Sequence, residues 1–166
     1  MRGQAVARRL ASRVMGAPRW VEQFDRRIAD GMLATNDQHV GLSALLGMRL
    51  DHFEPGLLQA SLEVHDGLLT PIGNLHGGTL AALVDHVLGC VLYPHMARGQ
   101  WAATTEFKIN YLNPVTSGRL DAEAHVLNMT RRSAVVRVEV TNADRAVAVA
   151  QGTVMIVDPR PSPDPT

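Results

Sequence analysis

At 166 residues, 46% of them apolar and 19% charged, the chain suits one packed domain and is long enough to bury a core of its own. Its 16 basic and 16 acidic residues cancel, and all the basic residues but Lys108 are arginine, a compositional bias rather than a nucleic-acid surface, so no DNA or RNA partner is expected. The single cysteine, Cys90, excludes an internal disulfide and points to a reducing compartment, the cytoplasm.

In chain order, residues 1–18 carry Arg2, Arg8, Arg9 and Arg13 without an acid, and Val6, Leu10 and Val14 recur every four residues. A transit segment or a membrane-surface helix has this composition, and so does a frayed terminal helix in an arginine-rich background, which is the reading preferred. Residues 20–34 continue as one amphipathic segment with Trp20, Phe24 and Ile28 at i, i+4 and i+8, so that 1–35 reads as a helical, partly flexible extension. Asn36 or Asp37 is expected to cap a second short helix that runs through Leu46 and stops at Gly47.

At Met48 the hydrophobic period changes. Residues 48–53 and 57–64 read as a hairpin turned at Glu54-Pro55-Gly56, with Leu58, Ala60, Leu62 and Val64 alternating against polar partners. A loop over 65–75 leads to the strongest pattern in the chain. There Leu80, Leu83, Val84, Val87, Leu88, Val91 and Leu92 share one helix face, which predicts a buried helix ended at Tyr93-Pro94. Asp85 and His86 interrupt this run, so no membrane span is expected.

Beside the apolar stripe, Gly78, Ala81, Asp85 and Gly89 form a second row, a groove in which Asp85 is the only large polar group. Gly89 in a helix interior costs about 1 kcal/mol relative to Ala, which implies close approach by another backbone or a ligand. Gly77 and Gly78 open the helix, where unpaired N–H groups and the positive dipole end suit an anion or a polarised carbonyl. Eight residues of helix span roughly 12 Å, too far for the glycine end and Asp85 to touch one reacting carbonyl. If they cooperate, they come from two chains, so a homo-oligomer is expected.

After the loop at 97–100, alternation places strands at 102–112, 119–127, 133–141 and 147–157, with short connections that favour antiparallel neighbours. The proline-rich segment 158–166 is expected to be disordered. Two strands, one buried helix and four strands make an α+β fold, a curved antiparallel sheet covering a helix.

His76-Gly77-Gly78 with Asp85 nine residues after the histidine, followed by Glu106-Phe107-Lys108-Ile109-Asn110-Tyr111-Leu112-Asn113-Pro114, resembles the PaaI-like (phenylacetate-type) acyl-CoA thioesterases of hotdog fold over about residues 42–157. The resemblance implies a hotdog domain over 36–157, its sheet wrapped around the long central helix, with subunits paired as a dimer or tetramer and sites between them. It implies hydrolysis of an acyl-CoA thioester to a carboxylic acid and CoA. In that reading Asp85 is the general base or the nucleophile, and the Gly77 N–H polarises the carbonyl. His76 positions the helix start, as a cap or loop anchor, or takes a catalytic part; Thr104 orients water or the carboxylate, or is simply a β-branched strand residue. Thr70, Asn74 and Gly78 line the substrate site, and Arg131 and Arg132 pair with CoA phosphates or remain solvated in a turn. One position departs from the family pattern: Thr70 stands where many relatives carry Asn or Gln, six residues before the histidine.

A non-catalytic acyl-CoA-binding or regulatory protein is the alternative function, favoured if Thr70 marks lost activity. A hotdog hydratase or dehydratase is further off, because the differently spaced His plus Asp/Glu segment of those enzymes is missing. No Walker or Rossmann glycine pattern occurs and the seven histidines are scattered, so neither cofactor nor metal is expected.

Overall fold

A computed structural model describes residues 18–38 and 40–159 of the chain. The arginine-rich start of the extension and the end of the proline-rich tail lie outside the described residues, as does His39.

Residues 20–34 form two helices, not one: α1 (Arg19–Glu22) and α2 (Arg26–Ala34). Asp25 causes the break. Its extended backbone lets the carboxylate cap α2 by accepting from the Arg27 N–H at 2.9 Å, while its own N–H donates to the Pro94 carbonyl at 2.7 Å. Asn36 likewise abandons the capping role expected of it. Its side-chain amide donates to the Leu50 carbonyl at 2.7 Å and accepts from the Leu50 N–H at 2.8 Å, a better use of both groups than one helical cap. What remains of the expected helix is a 3₁₀ turn, Asn36–Gln38, and the single turn α3 (Leu42–Leu45), which ends at Gly47 with φ +70°.

The strands are β1 (Met48–Glu54), β2 (Leu57–Val64), β3 (Trp101–Tyr111), β4 (Gly118–Met129), β5 (Ser133–Asn142) and β6 (Arg145–Val157). They form one antiparallel sheet in the order β1-β2-β4-β5-β6-β3. Short connections do make neighbours of β1 and β2 and of β4, β5 and β6, but not of β3 and β4. The six residues between them reach about 20 Å when extended, enough to pass the two intervening strands, β5 and β6, in three steps of about 4.8 Å, so a short link does not force adjacency. Among the described residues β3 is therefore a sheet edge, paired only with β6.

The central helix, α4 (Gly77–Cys90), lies against the inner face of this sheet. Leu80, Leu83, Val84, Val87 and Leu88, with Val91 and Leu92 beyond the helix end, are all buried, which is the stripe read from the sequence. Inward residues of the strands meet them: Leu58, Ala60 and Leu62 of β2, Leu120, Ala122 and Ala124 of β4, and Val136, Val138 and Val140 of β5. The run Gly77–His95 is long and apolar enough to cross a membrane by length and composition, Asp85 and His86 notwithstanding; half of it is buried within the protein.

Close backbone approach occurs at Gly152 rather than Gly89. A Cβ at Gly152 would sit 2.6 Å from Phe107 Cβ and 2.7 Å from the Glu106 carbonyl, whereas one at Gly89 would meet only Ala102 Cβ at an ordinary 3.7 Å. The first tail residues pack as well. Asp158 accepts from Gln100 Nε2 at 2.7 Å, and Pro159 lies beside Gly99.

Candidate active site

The start of α4 is pinned from the loop before it. The Leu75 N–H donates to the Val115 carbonyl at 2.7 Å and the His76 N–H to the Leu68 carbonyl at 2.9 Å. His76 is the N-cap: its Nδ1 accepts from the Gly78 N–H at 2.9 Å and its carbonyl from the Thr79 N–H at 2.9 Å. Two of the first donors of the helix are thus consumed. The Gly77 N–H has no acceptor among the described residues, so it is the open donor at this end, and Gly78, expected at the substrate, has its N–H occupied. Tyr111, at the end of β3, donates its hydroxyl to the Gly77 carbonyl at 3.0 Å. Its ring fills the space over Gly77, where a Cβ would come within 3.3 Å of Tyr111 Cζ.

Thr70 and Asn74 close a tight turn just ahead of this helix start. The Thr70 N–H donates to the Asn74 carbonyl at 2.7 Å, and the Gly73 N–H to the Thr70 carbonyl at 2.9 Å. The Thr70 hydroxyl oxygen is buried and has no hydrogen-bond partner among the described residues. Asn74 meets Thr70 through its backbone, so its side-chain amide does not serve that hydroxyl.

From Ala81 onward a groove of about 810 Å³ runs between α4 and β3. Ala81, Asp85 and Gly89 of the expected small-residue row line it, with His86 and Cys90 beside them; across it stand Ala102 and Thr104 to Phe107. Asp85 is exposed there and forms no salt bridge among the described residues. Asp85 and Thr104 are therefore brought together, as expected. Gly77, Gly78, His76, Thr70 and Asn74 stay at the helix start, and Arg131 and Arg132 stand exposed in the β4–β5 turn, whose backbone is held by Thr130 Oγ1.

Sequence reasoning gave no role to Glu106 or Tyr111, although both belong to the quoted strand motif. A bulge between Thr104 and Glu106 lets consecutive residues line the groove, and Thr105 Oγ1 steadies it by donating to the Thr153 carbonyl at 3.0 Å. Strict alternation would have hidden this. Cys90 also lines the groove, 3.7 Å from His86 Nε2 through its sulfur. Burial, and then the negative charge of Asp85, push its thiol up to about 12, so it stays protonated near neutrality and is no nucleophile. No cluster of His, Cys, Asp or Glu able to hold a metal occurs among the described residues.

The arrangement offers a hydrogen-bond donor for a developing oxyanion at the start of α4 and a carboxylate eight residues along it. The chain is similar to known proteins. Residues 72–149 match the family model described as Thioesterase superfamily. The proofreading thioesterase EntH of Klebsiella pneumoniae is 33% identical over 90 residues, which cover 54% of this chain and 66% of that one. Acyl-coenzyme A thioesterase 13 of Homo sapiens is 31% identical over 99 residues, covering 59% of this chain and 70% of that one. Among solved structures, a variant of the phenylacetic acid degradation protein PaaI of Thermus thermophilus superposes with a TM-score of 0.64 at 30% identity, covering 69% of this chain and 97% of that one.

Proposed function

This chain is a thioester hydrolase of the thioesterase superfamily, PaaI-like in its hotdog fold, and from that premise we propose that its substrate is an acyl-CoA, split to a carboxylic acid and CoA. The observation that carries the proposal is the division of labour along α4: a Gly77 N–H at its start and, eight residues along it in the groove, an Asp85 carboxylate, neither of them paired among the described residues.

In the proposed reaction the thioester oxygen accepts from the Gly77 N–H, which stabilises the oxyanion formed when the carbonyl carbon is attacked; one such donor is worth about 10²–10³ in rate. Asp85 either takes a proton from the attacking water or itself attacks to form an anhydride that water then opens. In the first route the C–S bond breaks as the tetrahedral intermediate collapses, and the proton held by Asp85 passes to the sulfur; in the second it breaks as the anhydride forms, and the departing CoA thiolate takes up a proton released when water opens the anhydride. Thr104, across the groove from Asp85, orients the water or the carboxylate, and Arg131 and Arg132 are assigned to the phosphates of CoA. The helix keeps its two chemical ends roughly 12 Å apart, so the proposed site is composite, Gly77 from one subunit and Asp85 from another. The free edge of β3, with half-exposed Trp101 and Tyr111 near its two ends, supports an assembly in which a second copy covers that edge. The cytoplasm is the proposed location, on the strength of a single cysteine and hence no internal disulfide.

The test is release of thiol from acetyl-, octanoyl-, palmitoyl- and phenylacetyl-CoA by purified wild type and Asp85→Asn. Turnover of at least one substrate, reduced by about 10² or more in the folded variant, is expected. Binding without turnover of any of the four would transfer the protein to the non-catalytic class, and near wild-type kcat/KM in Asp85→Asn would remove Asp85 from the mechanism.

A further inference from the structure

The two glycines that open α4 give the oxyanion donor room but no rigidity, since glycine is the residue least able to hold its own φ and ψ. The structure supplies the missing constraint through a single peptide unit. The carbonyl of Gly77 and the N–H of Gly78 belong to the same peptide plane; Tyr111 donates to the first at 3.0 Å, and His76 Nδ1 accepts from the second at 2.9 Å. The preceding plane, which contains the Gly77 N–H, is held at its other end by the bond from the Thr79 N–H to the His76 carbonyl. Both torsions of Gly77 are therefore set by groups outside it, and one of those groups comes from a different element of the fold.

We propose that Tyr111 is a positioning residue for thioester hydrolysis, holding the Gly77–Gly78 peptide so that the Gly77 N–H points at the thioester oxygen. The proposal rests on the reading of Gly77 as the carbonyl-polarising donor. Tyr111 acts through the backbone, by its hydroxyl on the Gly77 carbonyl and by its ring, which occupies the side on which Gly77 could be displaced toward β3. Because β3 also carries Thr104 in the groove, the same strand fixes the donor at the start of α4 and borders the carboxylate near its end.

The test compares wild type with Tyr111→Phe, which removes only the hydroxyl from a residue 53% exposed, its fold checked by circular dichroism. The substrate is whichever of acetyl-, octanoyl-, palmitoyl- and phenylacetyl-CoA wild type turns over fastest. Two non-hydrolysable analogues of it are used for calorimetry: the ketone with CH₂ in place of sulfur, which keeps the carbonyl, and the S-alkyl thioether, which lacks it. Tyr111→Phe is expected to lower kcat roughly two- to tenfold, the fold-change of one net hydrogen bond, with KM unchanged. The preference for ketone over thioether should shrink by a similar factor while thioether affinity stays the same. If wild type shows no preference for the ketone, the reading of Gly77 fails. If it does, and Tyr111→Phe retains both the full preference and kcat, the positioning role of Tyr111 fails by itself. Equal weakening of both analogues would reduce Tyr111 to a general structural contact and overturn the proposal as well.

Discussion

His76 Nδ1 accepts the Gly78 N–H at 2.9 Å, and with that donor consumed the Gly77 N–H is left at the start of the central helix without an acceptor among the described residues. Gly77 is the first helical residue, the position that best tolerates proline, and His76 before it has φ −67° and ψ 130°, a conformation proline permits in its predecessor. Gly77→Pro therefore deletes the proposed donor while keeping the helix. A Cβ there lies 3.3 Å from Tyr111 Cζ, so the Tyr111 ring must yield to admit the proline. The expected result is a kcat lower by about 10²–10³ with an unchanged circular dichroism spectrum; a kcat within about threefold of wild type would show that almost none of the oxyanion stabilisation comes from this amide.

Thr70 offers a test of the departure from the family pattern. A buried hydroxyl without a partner costs about 1–3 kcal/mol of desolvation, so Thr70→Val, which keeps the shape, should melt higher than wild type. Thr70→Asn introduces the amide that the family resemblance implies at this position and is expected to raise kcat more than it changes KM, because a group aimed at the transition state acts on the chemical step. A lower melting temperature in the valine variant would mean that the hydroxyl has a partner in solution. An unchanged kcat in the asparagine variant would mean that another group already does the work.

His95 ties the N-terminal helices to the sheet. Its Nε2 accepts from the Gly56 N–H at 3.0 Å, its Nδ1 donates to the Trp20 carbonyl at 2.8 Å, and Trp20 and Phe24 pack against the ring. Burial lowers its pKa, and the bond to the Trp20 carbonyl opposes this only in part. A histidine depressed in the folded state contributes stability that is present above the unfolded value near 6.5 and is lost as pH falls below it toward the folded value. Thermal melts of wild type should therefore fall below about pH 6.5 more steeply than those of His95→Gln, whose amide can accept from Gly56 without titrating. Parallel pH profiles for the two proteins would assign the acid sensitivity to other groups.

The parts legible in the sequence were those whose signal is local and periodic. The stripe from Leu80 to Leu92 needs only a period of 3.6, and the strands need only alternation, so α4 and the strands fall where expected with ends shifted by a residue or two. Asp85 and Thr104 share a groove because helix face and strand parity are local properties too. The misses all involve a partner distant in sequence. Asp25 breaks a helix because Pro94 accepts its N–H, and Asn36 forsakes a cap for Leu50. β3 pairs with β6 across the sheet edge, and Gly152 is needed because that pairing brings Phe107 and Glu106 against it. Tyr111 reaches Gly77 from 34 residues away, and no spacing rule announces such a contact.

The central claim is that one site uses Gly77 of one subunit and Asp85 of another, and mixing subunits tests it most directly. Asp85→Asn and Gly77→Pro proteins, each inactive alone, are unfolded and refolded together in equal amounts. If they pair at random as dimers, half the dimers are mixed, and each mixed dimer holds one intact composite site, so the account predicts recovery of about a quarter of wild-type specific activity. A mixture as inactive as its two components, with mixed dimers demonstrated by mass spectrometry, would contradict it and return both groups to a single chain.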